Sequence, residues 1–148
     1  MSRTPPGASA VRTRPDVSPS APAATAPGAA ARGGYAVRMA EILTVLTTTA
    51  SQEQAQTLAA GAITRRVAAC AQLNGPVTAV YRWEGAVQTD SEWQVLFKTC
   101  ADRYGALEEY LREAHPYEVP EIIATAVVRG SADYLRWVEE ETRPSPQP

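Results

Sequence analysis

One stretch limits the architecture of this chain more than any other: two long alternating runs that face each other across Glu84-Gly85. Val77, Ala79, Tyr81 and Trp83 alternate with Thr78, Val80 and Arg82; on the return, Trp93, Val95 and Phe97 alternate with Gln94, Leu96 and Lys98. A period of two belongs to strands whose faces differ, and a two-residue link ending in glycine fits a tight hairpin. The first arm extends back through residues 69–73, broken by Asn74-Gly75-Pro76. Proline cannot donate to a strand ladder, so this tripeptide reads as a kink or bulge inside the arm. Arms of this length reach past the core of a small domain. The aromatic tip, Tyr81 and Trp83, then needs cover from another subunit.

The flanking segments supply the rest of the layout. Residues 42–47 form a short, nearly continuous apolar and β-branched run, the mark of a strand buried on both faces. Ser51 and Gln54 have capping-box spacing, and Ala55, Leu58, Ala59, Ala62, Ile63 and Val67 follow as one helical stripe. Beyond the hairpin, residues 99–102 are expected to cap a second helix with Tyr104, Leu107, Leu111 and Ala114 on one face. Residues 121–128 read as the last strand, and Gly130-Ser131 opens a short helix carrying Tyr134, Leu135, Trp137 and Val138. Strand-helix-strand twice over predicts a ferredoxin-like split βαβ sandwich in the α/β (α+β) class. It has four antiparallel strands, two main helices, a short C-terminal helix and a long second hairpin. That fold hosts enzymes, RNA binders, metal chaperones and sensors, so function has to be argued from a site.

Charge divides the chain. Residues 1–38 hold five arginines and one acid (Asp16), whereas residues 39–148 hold nine Lys/Arg and fifteen Asp/Glu. An acidic folded part argues against a nucleic-acid partner. Residues 1–38 are rich in Ala, Pro, Ser, Gly and Arg without hydrophobic period, and are expected to be a disordered tail. Two further readings of that tail stay open, an Arg-rich transit peptide and an extension ahead of a start at Met39. Residues 39–142 are expected to be the folded domain and 143–148 a flexible C-terminal tail. Two cysteines, Cys70 and Cys100, make no disulfide framework, which favours a reducing cytoplasm. No apolar run approaches membrane-spanning length, so no membrane partner is expected.

Chemistry concentrates at residues 114–122, Ala-His-Pro-Tyr-Glu-Val-Pro-Glu-Ile, which contain the single histidine, His115. Each proline pushes the residue before it toward extended geometry, making this a stiff helix-to-strand corner. The same corner presents an imidazole, a phenol and carboxylates, the parts of a binding or acid–base site. His115 reads first as a structural or pocket-lining residue and second as a candidate metal ligand, since nothing adjacent in sequence completes a ligand set. Cys70 is either a small buried hydrophobe or a soft-metal ligand. Counted from the turn without a bulge, Cys70 lies opposite Thr99, beside Cys100, so a thiol pair is a further reading. Tyr81, Trp83 and Tyr117 are ligand-stacking rings or interface anchors. Glu92, Lys98 and Glu121 either converge on a polar pocket in a subunit cleft or form salt bridges between subunits.

Three stretches taken together, Val67-Ala68-Ala69-Cys70, Val80-Tyr81-Arg82-Trp83-Glu84-Gly85 and His115-Pro116-Tyr117-Glu118-Val119-Pro120-Glu121-Ile122, closely resemble the CutA, or divalent-cation tolerance, protein family. Val45-Leu46-Thr47-Thr48, Lys98-Thr99 and Tyr134-Leu135-x-Trp137 fit the same pattern, which covers about residues 41–140. The resemblance implies a ferredoxin-like homotrimer whose strands pair between subunits in the manner of PII-type signalling proteins. It also implies a link to tolerance of divalent metals, copper binding in some members, and no enzymatic activity. Three positions depart from the pattern. Thr47 stands where some members carry cysteine, Ala114 where some carry a second histidine, and Ala86 where a lysine often follows the turn glycine. The expected function is therefore that of a cytoplasmic homotrimer responding to a divalent metal, copper among them, or to a small ligand at subunit clefts. The alternative is a small enzyme using His115 as general acid/base; no paired nucleophile accompanies it.

Overall fold

The computed structural model describes residues 40–146. The expectation of a disordered segment over 1–38 lies outside the described residues, as do the last two positions of the C-terminal tail. The β-branched run becomes β1 (Ile42–Thr49). It is central in the sheet: β3 (Ala86–Cys100) pairs along its whole length, from Ile42↔Cys100 to Thr49↔Trp93, and β4 (Ile123–Ala126) pairs on its other edge. With β2 (Cys70–Trp83) outside β3, the order is β2-β3-β1-β4, all pairs antiparallel, the ferredoxin-like arrangement expected from the sequence.

Helix α1 (Gln52–Thr64) starts where Ser51 adopts extended geometry and its hydroxyl accepts from the Gln54 amide. Gln54 Oε1 reaches back to the Ala50 amide at 3.2 Å, one residue earlier than the standard reciprocal contact. Ala55, Leu58, Ala59 and Ala62 are buried, but Ile63, expected in the stripe, is exposed. The helix ends one turn later in a Schellman-type closure. Val67 N–H donates to Ala62 O and Arg66 N–H to Ile63 O, with Arg66 left-handed at φ 57°. A non-glycine there costs about 1 kcal/mol. The Arg66 guanidinium offsets it by donating to Glu140 O and Arg143 O, both at 2.8 Å, at the end of α3 (Ala132–Glu141).

One face of the sheet meets α1 and α2 (Tyr104–Ala114) in a core of Val45, Val95 and Phe97 against Leu58, Leu107 and Leu111. Fully burying each of these large side chains stabilises the fold by about 1.5–3 kcal/mol. The buried face of α2 is Leu107, Tyr110 and Leu111; Ala114, expected there, is exposed. Tyr110 comes inside because its hydroxyl finds Leu58 O at 2.9 Å. No side chain caps α2. A 3₁₀ turn over Ala101–Arg103 leads into it, contrary to the expectation of caps from residues 99–102. In α3 only Val138 is buried, while Tyr134 and Trp137 are about two-fifths exposed. The last strand is shorter than the expected 121–128, since only Ile123 to Ala126 lie beside β1.

The hairpin has the expected turn: Trp83 pairs with Ala86, and Glu84 and Gly85 both take positive φ (46° and 78°). The bulge is also where it was expected. Pairing jumps from Asn74↔Gln94 to Val77↔Glu92, so Gly75 and Pro76 oppose Trp93 alone. A side chain at Gly75 would come within 2.6 Å of the Trp93 ring, so glycine lets the two strands approach. Because β1 covers β3 only from Trp93 onward, residues 86–92 of β3 pair with β2 alone. The outer half of the hairpin is a two-stranded ribbon with Val80 and Val87 well exposed.

Candidate functional site

The His-Pro corner is built first from its backbone. His115 closes α2 by donating its amide to Leu111 O at 2.9 Å, then turns extended (ψ 135°) ahead of Pro116. Its ring is buried. Nδ1 accepts from the Tyr117 amide at 3.0 Å, which leaves the proton on Nε2, and Nε2 donates to Thr48 O at 2.9 Å. Burial lowers the imidazole's pKa, and the bond to Thr48 only partly opposes this. The histidine thus ties the corner to the end of β1 and holds the Tyr117 ring at 4.7 Å from its own.

Tyr117 is delivered into a cleft of about 350 Å³, walled by Thr48 of β1, Tyr81 of β2, Glu92 of β3, and Tyr117, Val119 and Glu121 of the corner. Tyr81 donates its hydroxyl to Asp90, its diagonal neighbour across the hairpin. Burial, that bond and the charges of Asp90 and Glu92 push the Tyr81 phenol far above its ordinary range. Burial, with Glu92 and Asp90, pushes Tyr117 up to about 12. The Glu92 carboxyl is raised by burial, with Glu121 and Asp90 adding to it and a hydrogen bond from Thr48 opposing. Among the described residues, no lysine, arginine or histidine lines the cleft. Tyr117 Oη is buried and has no hydrogen-bond partner among the described residues. A slightly larger groove, about 390 Å³, lies between α1 and α2, where Glu109 and Glu113 also line the wall but Tyr110 and Arg65 are already engaged. Tyr110 bonds Leu58 O, and Arg65 lies 4.7 Å over the Tyr110 ring.

Of the residues singled out from sequence, the structure brings Tyr81, Glu92, Tyr117 and Glu121 together and leaves Trp83, Lys98 and Cys70 elsewhere. Trp83 closes the ribbon tip. Lys98 pairs opposite Cys70, donates to Gln72 Oε1 at 2.9 Å and lies 5.7 Å from the centre of the Tyr134 ring. Cys70 is half-buried rather than buried, and the bulge places it opposite Lys98 instead of Thr99. Both thiols are free; Cys100 is buried, accepting from the Thr142 hydroxyl at 3.4 Å. Sequence reasoning missed Thr48 and Asp90. Asp90 was within reach of it: counting from the Glu84-Gly85 turn puts it on the face of Tyr81 and Glu92.

The family model of the CutA1 divalent ion tolerance protein matches residues 43–141. The chain belongs to this family. It is 40% identical over 98 residues to the divalent-cation tolerance protein CutA of Thermus thermophilus, spanning 66% of this chain and 95% of that one. Human protein CutA is 33% identical over 118 residues, 80% of this chain and 66% of the human one. Among solved CutA1 structures, that from Oryza sativa superposes with TM-score 0.70 at 36% identity, covering 72% of this chain and 98% of the other. The Thermus thermophilus structure gives 0.67 at 38%, covering 69% and 99%. The family description names tolerance of ions and no reaction.

A soft-metal centre on His115 and Cys70 does not fit this arrangement. Both imidazole nitrogens are committed to the backbone. Thr48, which His115 holds, pairs with Gln94, and Cys70 pairs with Lys98, four residues along β3 or about 13 Å. The same two hydrogen bonds leave the acid/base reading of His115 unsupported, for neither nitrogen is free to meet a substrate proton. Among the described residues, no three His, Cys, Asp or Glu side chains converge as a metal set, and no helix is long and apolar enough to cross a membrane.

Proposed function

We propose that this chain works as a cytoplasmic homotrimer without catalytic activity, binding a cationic ligand, metal ion or small molecule, in the cleft of Tyr81, Glu92, Tyr117 and Glu121. The observation that carries the reading is the cleft itself: among the described residues, acids and phenols without a basic partner, around a buried Tyr117 hydroxyl that lacks a bond. Assembly is supported by the ribbon. Two strands alone are marginal in water, and exposed Val80, Val87 and Ile123 mark surface that a second copy would cover. Free Cys70 and Cys100 suit a reducing compartment.

Divalent-ion response enters through the family description. The cleft offers only oxygen donors, which suit hard cations and Cu(II) better than Cu(I). Copper held through His115 or Cys70 is disfavoured by the geometry above, so copper binding, where present, is weak. Light scattering of the purified chain should give a trimer mass at micromolar concentration; a monomer mass would remove the subunit clefts from the reading. Calorimetric titration with Mn(II), Cu(II) and small organic cations should show, for at least one of them, binding that weakens in Glu92→Gln and persists in Cys70→Ala. The opposite pattern would move the site to the thiol.

A further inference from the structure

The class of occupant can be narrowed further, on the footing that this cleft is the ligand site. Glu92 and Glu121 line the cleft, and Asp90 accepts from Tyr81, which lines it too, yet the three acids do not converge on one point among the described residues. A small divalent ion needs several oxygens within about 2.0–2.6 Å of its centre. Acids spread around a space of about 350 Å³ instead match an organic molecule, at the lower end of the size of ligand pockets. Between the acids the wall is apolar or aromatic, with Ala79, Val119 and the Tyr81 and Tyr117 rings. Into this wall Tyr117, only 6% exposed, brings a hydroxyl with no partner. A buried hydroxyl left unbonded is costly, and a bound group that bonds it recovers that cost.

The geometry points to an organic ammonium ion, a primary amine or guanidinium on a short apolar stem, as the occupant of this cleft. Its N–H groups donate to Glu92 and to the Tyr117 oxygen, which accepts them because phenols do both. Its stem lies along Ala79 and Val119, and its charge faces an aromatic ring, an arrangement favourable to cations. Among the described residues, an anion finds no basic side chain there.

The test is calorimetry on the full chain with cadaverine and agmatine, set against glutarate, the dianion of matching length, and against MnCl2. An amine binding once per chain with glutarate silent supports the inference. Glu92→Gln should then weaken binding by about tenfold or more. Tyr117→Phe should weaken it too while leaving the unfolding midpoint unchanged or higher, since it removes only an unbonded hydroxyl; it decides the matter if Glu92→Gln fails to fold. Glu92-dependent binding of Mn(II) with both amines silent would overturn the organic ligand and keep the cleft as the site. Silence of every probe would overturn both, and so would loss of assembly in Tyr117→Phe, which would mean that a neighbouring subunit completes that hydroxyl. Amine binding indifferent to both substitutions would place the amine elsewhere and overturn the inference.

Discussion

His115→Ala tests whether the histidine is the tie that sets the cleft. The wild-type ring is 7% exposed and makes two hydrogen bonds to backbone, at 2.9 and 3.0 Å. Losing them costs about 2 kcal/mol if water fills the space, and about 4 kcal/mol if the Thr48 carbonyl and Tyr117 amide stay dry and unbonded. Urea unfolding at fixed protomer concentration reads this directly, since assembly would otherwise shift the midpoint. A loss below about 0.5 kcal/mol, the range of ordinary surface changes, would refute the tie. Acid should act on the same contacts. Imidazolium carries a second N–H on Nδ1, which then points at the Tyr117 donor. Burial lowers the folded pKa below the reference of about 6.5, so the unfolded state binds more protons between the two values. Stability is therefore complete above about pH 6.5 and falls as pH drops toward the folded value, by at most about 1.4 kcal/mol per pH unit. His115→Gln, which cannot titrate, should lose that share of the slope. An unchanged slope between pH 5 and 6.5 would show that other groups carry it.

Gly61→Ala places a methyl 1.9 Å from the Tyr110 hydroxyl, and overpacking at a bonded core residue should cost about 1–3 kcal/mol in urea unfolding. Arg66→Gly keeps the left-handed turn but frees the end of α3, so hydrogen exchange of the α3 amides should quicken while global stability changes by less than about 1 kcal/mol; unchanged α3 protection would mean the guanidinium clamp is idle. From composition alone we propose that residues 1–38 add nothing to the fold. Their deletion should leave assembly and melting temperature unchanged, and a fall of several degrees, more than about 1 kcal/mol, would show that they dock.

The fold was legible in the sequence because its signals are local. Alternation from Val77 to Trp83 and from Trp93 to Phe97, a glycine at a positive-φ turn, and a proline that no central ladder tolerates fixed the hairpin, its turn and its bulge. Helix existence was equally plain, but the buried faces were not. Tyr110 displaced Ala114 inside because a carbonyl of another helix, Leu58 O, was there to take its hydroxyl, and periodicity carries no record of that partner. The cleft was half legible. Tyr81, Glu92, Tyr117 and Glu121 stood out by residue type, and Asp90 follows from hairpin counting. Thr48 could not be found in advance, since only the packed sheet brings the end of β1 to the corner after α2. The same holds for His115. By itself the sequence marked it as the one imidazole and favoured a structural or pocket-lining role, with a ligand and a base as the alternatives. Tertiary structure decided among them, because both nitrogens meet backbone groups 67 and 2 residues away and have no lone pair or proton left to offer.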